Sequence, residues 1–327
     1  MKKSILITII LTVIFAKLSF SQGRETFGEY EDSLALLGNI MRNGENDRVK
    51  FEANEKFIDL LEDALYMKNS FDYPFDSIKT IARLVSPDNK LKIYNWVISK
   101  IDGTFDYYAF IQSYNENKKK YDLFKLTDKS NDIIAAEFQI LDANNWYGAL
   151  YYKIIHTQNN NSDYYTLLGW NGNNGMSFKK LIEVLSFRSG NKPTFGAAMF
   201  KMGKEKPKRI IFEYSAKAIM SLKYENQEYQ EKIKFKKPKN GKRFEMRKVK
   251  SSMIIFDRLV PLSPSLEGQK QFYVPETNIF DAFIYENGKW NLIEDVDARN
   301  PLKPSKSKED QPKRELEYRL YTPKKKL

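Results

Sequence analysis

The chain has 327 residues, 42% of them hydrophobic and 14% aromatic, with no cysteine, a single histidine and a formal net charge of +12. A chain of this size buries about 75% of its extended surface, which excludes a disordered polymer and makes disulfide staples unnecessary. The absence of cysteine excludes cysteine-based zinc sites and thiol nucleophiles, and one histidine excludes any site built on two.

The charge is unevenly spread. Residues 1–21 carry three lysines and no acid, residues 231–250 carry ten basic and two acidic side chains, and residues 302–327 carry nine basic and four acidic. Taking +3, +8 and +5 from the total leaves −4 for the rest, so the basic balance belongs to one stretch and one tail.

Residues 1–21 have the order of a secretory leader. Lys2 and Lys3 precede an unbroken run of apolar residues and threonine from Ile5 to Ala16, and Ser19 and Ser21 place small side chains at a cleavage site before Gln22. The run is too short to span a bilayer, which needs about 20 apolar residues. The leader predicts an exported protein, periplasmic or secreted, with no transmembrane span after its removal.

Residues 22–76 read as a helical segment. Thr26 and Glu29 have capping-box spacing, and Phe27, Tyr30, Leu34, Leu37 and Met41 share one helical face. Asn43-Gly44 ends that helix; Asp47 is the expected cap of a second, with Phe57, Leu61, Ala64 and Leu65 on one face.

From about Ser77 the period changes to that of strands. Residues 78–85, 91–98, 104–114 and 120–127 are β-rich runs separated by Ser86-Pro87-Asp88-Asn89, Asp102-Gly103 and residues 115–119, all turn-forming chemistry. Further strands are expected at 133–141, 146–157, 164–170, 180–187, 197–201, 209–214 and 218–224, then at 253–259, 280–285 and 290–293. Residues 178–187 also fit helical spacing. The stretch 231–250, holding Pro238 and Asn240-Gly241, reads as a solvated basic loop.

The fold expected is mainly β behind an N-terminal helical segment, in antiparallel meanders of propeller-like or open architecture, with a β-sandwich as the alternative. The β-rich body spans 77–300, and 301–327 is a basic, flexible tail.

The stretch from Ser86 through Trp96, the turn Asp102-Gly103-Thr104, and the segments Trp146 to Lys153 and Tyr164 to Asn171 together resemble a family of exported, uncharacterised proteins from Bacteroidetes. The resemblance implies export and no particular chemistry.

No residue is assigned as catalytic, cofactor-binding or metal-binding, and no cofactor is implied. His156 reads as a half-exposed strand residue beside a turn rather than a general base or lone ligand. Carboxylate acid/base pairs for glycoside hydrolysis would come from Asp163, Glu183, Glu213, Asp257 and Asp281, but no spacing selects two of them. Asp163 beside Asn159–Asn161, and the Asn171–Asn174 loop, lack the dense acids of a calcium loop. Trp96, Trp146, Trp170 and Trp290 could form stacking platforms. Tyr107-Tyr108, Tyr151-Tyr152 and Tyr164-Tyr165 must each send one ring to either face of a sheet, so some aromatic exposure is expected.

The function expected is that of a non-enzymatic envelope or periplasmic binding protein whose partner is a protein or polymer of the cell envelope. Nucleic acid is disfavoured, since no recognition motif is present. The alternative is a carboxylate-dependent hydrolase acting on a polysaccharide or related polymer.

Overall fold

The computed structural model describes residues 26–188, 190–239 and 242–296; the leader and the tail lie outside the described residues. Two helices come first. In α1 (Phe27–Asn43) the Thr26 hydroxyl accepts from the Glu29 amide while the Glu29 carboxylate accepts from the Thr26 amide at 2.7 Å, closing the expected capping box. The second helix, α2 (Asp47–Tyr66), is capped one residue earlier than expected, by the Asn46 side chain on the Val49 amide at 3.0 Å. Asp47 is left free of that task and accepts from the Ile101 amide instead, at 3.1 Å.

Among the described residues the remainder is mainly β and open, with no closed barrel. A first sheet is the meander β1 (Ala82–Val85), β2 (Leu91–Ser99), β3 (Phe105–Asn115) and β4 (Lys120–Thr127). A second runs β5 (Leu141–Asp142), β9 (Lys192–Phe195), β8 (Ser177–Arg188), β7 (Ser162–Asn171) and β6 (Leu150–Asn159) in spatial order. Its sixth strand, β11 (Ile210–Ser215), shares an edge of β8 with β9 by pairing farther along it, Ile210 opposite Ile182. A third sheet has the order β10 (Phe200–Lys201), β15 (Lys289–Ile293), β14 (Tyr273–Glu286), β13 (Lys242–Pro261) and β12 (Leu222–Lys239). The pairings among β1 to β9, of β11 with β8, of β13 with β14 and of β14 with β15 are antiparallel, while β10 pairs with β15 in parallel.

The chain divides into two compact units, residues up to 225 with 252–296, and, among the described residues, 226–251. In the first unit the layers stack in chain order. The helices cover one face of the first sheet through Phe57, Leu61, Tyr94, Trp96 and Phe110. The opposite face of that sheet meets the second sheet through Ile93, Tyr107, Ile111, Tyr151 and Leu167. The far face of the second sheet meets the third through Leu168, Ile182, Ile254, Phe283 and Trp290. Both inner sheets are therefore covered on both faces, which requires their strands to be apolar on both sides. β2 meets that demand with the near-continuous run LKIYNWVIS.

Several expectations are corrected. Residues 133–141 do not form a strand: Ala135 is left-handed at φ 49°, a 3₁₀ turn follows at Ala136–Phe138, and only Leu141–Asp142 pairs. Carbonyls of that turn accept from a buried arginine rather than from a neighbouring strand. The strand expected at 180–187 forms and runs from Ser177 to Arg188, whereas β9 was not foreseen. The basic stretch is not a loop, since β12 and β13 run through it to Lys239 and from Lys242.

Candidate functional site

The hairpin of β6 and β7 closes through Asn160-Asn161, both at positive φ (48° and 60°), as a two-residue turn matching strand twist requires. Its register sets Gln158 opposite Asp163 and His156 opposite Tyr165. Because strand side chains alternate, these four lie on one face. His156 Nε2 is 2.8 Å from Asp163 Oδ1, Gln158 Nε2 donates to the same oxygen at 2.8 Å, and the His156 and Tyr165 rings stack with centroids 5.2 Å apart.

The first sheet brings a fifth polar group. In the β1–β2 turn, Asn89 is left-handed at φ 56°, and Asp88 Oδ1 accepts from the Ser86 hydroxyl at 2.5 Å and the Lys90 amide at 3.3 Å. That leaves Oδ2 to face the hairpin, where it accepts from the Tyr165 hydroxyl at 2.8 Å and lies 3.5 Å from His156 Nε2. The ligating atoms of Asp88, His156 and Asp163 all fall within 4.8 Å of one another. None of the three is exposed: their side chains retain 15%, 18% and 31% of their accessible surface.

Electrostatics sharpen the cluster. Burial alone would push the Asp163 carboxyl up, but hydrogen bonds from Gln158 and His156 outweigh it and hold Asp163 below the usual carboxylate range. Burial, reinforced by the bond to Asp88, drives the Tyr165 phenol far above its ordinary value, so it stays a donor. The nearby Lys90 ammonium is engaged by Glu116 at 2.9 Å.

Asp163 and Tyr165 form part of the wall of an open cleft of 720 Å³, whose other walls are the β3–β4 turn at Asn115–Asn117 and the end of the β8–β9 hairpin at Arg188 and Asn191. The chain matches no family model, no curated protein and no solved structure. Its chemistry is argued from its own residues.

The carboxylates singled out in the sequence separate. Glu183 is fully buried and bound to Arg209 at 2.8 Å, and burial outweighs that partner to push its carboxyl up. Glu213 accepts from the Ser177 hydroxyl at 2.6 Å, Asp257 from the Ser221 amide at 2.6 Å, and Asp281 is gripped by two nitrogens of Arg258 at 3.0 and 2.5 Å. Of the five only Asp163 reaches the cleft, and the carboxylate beside it, behind the cleft wall, is Asp88, which in the sequence was simply a turn residue.

The asparagine loops are turns. Asn171 Oδ1 accepts from the Asn173 amide at 2.7 Å, and Asn174 Oδ1 from the Met176 and Ser177 amides at 3.2 Å. Trp96, Trp146 and Trp290 are core residues, so they offer no stacking platform. The tyrosine pairs do divide between faces: Tyr165 sits between the first two sheets while Tyr164 packs against the third. With a sheet on either side, that division exposes little; Tyr152, 39% exposed, is the exception among the six.

In the second unit, residues 244–248 of β13 are all exposed, among them Phe244 and Met246 at 45% and 49%. β14 pairs with β13 only from Met253 onward. No helix among the described residues is long and apolar enough to cross a membrane.

Proposed function

We propose that this chain is an exported, non-enzymatic protein of the cell envelope or periplasm that binds an anionic polymer through residues 226–251. The observation carrying this reading is the pairing of charge with exposure. Residues 231–250 hold a net +8. In the same segment five consecutive strand residues, 244–248, are exposed. A strand within a packed layer hides alternate side chains, so exposure in succession leaves both of its sides open to a partner. Each lysine near an anionic surface contributes about 1 kcal/mol, an attraction lost beyond a Debye length of about 8 Å.

The test is retention on immobilised dextran sulfate and on isolated envelopes as salt is raised. Elution should come at lower salt once residues 231–250 are replaced by a two-residue Asn-Gly turn. Unchanged elution from a folded deletion variant overturns the reading. Export is checked by N-terminal sequencing of the mature protein, expected to begin at Gln22; an intact Met1 counts against it.

A hydrolase is the second reading, favoured by the approach of Asp88 to Asp163 within 4.8 Å. Retaining glycosidases hold two carboxyls about 5 Å apart. Against it, His156 stands between these two and only Asp163 lines the cleft. A panel of glycosides, esters and peptides should show no turnover. Turnover abolished by Asp163→Asn would establish the hydrolase instead.

A further inference from the structure

The geometry points to a divalent transition-metal site at Asp88, His156 and Asp163, independent of the basic segment and of the function proposed for it. Three ligating atoms of two chemical types converge from two sheets: the imidazole Nε2 lies 2.8 Å from one carboxylate oxygen and 3.5 Å from the other. Ligands bound at about 2.0–2.2 Å around a tetrahedral or octahedral ion stand about 3–3.5 Å from each other, close to the two distances from Nε2, and all three atoms lie within 4.8 Å of one another.

Charge argues in the same direction. In a neutral imidazole protonated on Nε2 the single proton can serve only one of the two carboxylates at a time, the nearer oxygen being Asp163 Oδ1. The second carboxylate relies on the Tyr165 hydroxyl and on a turn. The Lys90 ammonium, which interacts electrostatically with both carboxylates, is paired with Glu116. A dication in place of the Nε2 proton would neutralise both carboxylates at once, and the imidazole would carry its remaining proton on Nδ1, so a neutral ring releases no proton.

The surroundings are those a metal site needs. Tyr165 orients Asp88 through a 2.8 Å hydrogen bond, Gln158 orients Asp163 through another, and the Tyr165 ring stacks on the imidazole. Such supporting contacts fix ligand direction and are worth about 10–100-fold in metal affinity. The cleft bordered by Asp163 provides an entry path and room for water to complete the coordination shell. One nitrogen with two carboxylates suits zinc, manganese or ferrous iron; calcium, which takes 6–8 oxygens, is disfavoured.

Because His156 is the only histidine, its ring signals in an NMR spectrum of the full mature chain need no assignment. Titration with zinc chloride should shift them saturably at one equivalent, while calcium chloride leaves them in place. Asp88→Asn and Asp163→Asn should each weaken zinc binding at least tenfold, Tyr165→Phe should weaken it about tenfold, and Glu213→Gln should leave it unchanged. A wild-type ring signal that does not respond to zinc overturns the site. So does binding of equal strength in both aspartate variants. Should either variant fail to fold, the stoichiometry and saturation of the wild-type shift still decide the matter.

Discussion

Replacing Arg209 with methionine removes the cation paired with a fully buried carboxylate. Arg209 and Glu183 are both 0% exposed and joined at 2.8 Å. The guanidinium also donates to three backbone carbonyls, those of Ala136, Gln139 and Phe195. Breaking a buried pair from one side costs about 3–5 kcal/mol, and each carbonyl left without a donor adds about 1 kcal/mol or more. The expected loss is therefore on the order of 5 kcal/mol or above, a large share of the about 5–15 kcal/mol that stabilises a domain. The loss has a pH signature. Glu183 already has its folded-state pKa raised by burial, against the opposing pull of Arg209. A carboxyl raised in the folded state favours folding below its unfolded pKa and loses that contribution as pH rises through the folded value. Without Arg209 the folded value climbs further, so the variant's deficit should shrink as pH falls from 7 toward 5, leaving the portion due to the carbonyls. Urea denaturation of wild type and variant across that range measures it. A deficit under about 1 kcal/mol at pH 7, or one that grows on acidification, would refute the reasoning.

Two further tests probe the first sheet. Lys92 is buried, donates to the Phe71 and Tyr73 carbonyls at 3.0 and 2.8 Å, and has its pKa lowered by burial to about 8. Between about 8 and 10.5 the unfolded chain binds more protons there, so stability relative to Lys92→Met should rise with pH by up to about 3 kcal/mol; a pH-independent difference in urea midpoints argues against it. Trp96 donates from its indole nitrogen to Asn54 Oδ1 at 2.8 Å, linking α2 to β2. Trp96→Phe should cost about 2–4 kcal/mol in chemical denaturation, and adding Asn54→Leu should recover part of it by removing the orphaned amide; no recovery would mean that lost volume alone sets the cost.

The mainly β composition, the helical start and the principal turns were legible because each depends on neighbours in the chain. Thr26 and Glu29 are three residues apart and satisfy each other. Asn89 in the turn Ser86-Pro87-Asp88-Asn89, and Asn160-Asn161, take the left-handed backbone that tight turns demand. Strand β4 carries the limits expected of it, Lys120 and Thr127. Residues 133–141 were misread because alternation there suits a strand, while the carbonyls answer to Arg209, far along the chain. The tyrosine doublets show the same division: alternation correctly sends neighbouring rings to opposite faces, but whether a face is wet depends on what stacks against it.

Local order, then, was written in residues three, four or two apart, since helix caps, turn dihedrals and strand alternation are satisfied within a few positions. The stacking of three sheets, the burial of Glu183 with Arg209, and the meeting of Asp88 with His156 and Asp163 are products of tertiary packing alone. Each joins positions whose separation along the chain carries no periodic signal, and packing of the apolar faces is what brings their polar atoms within reach.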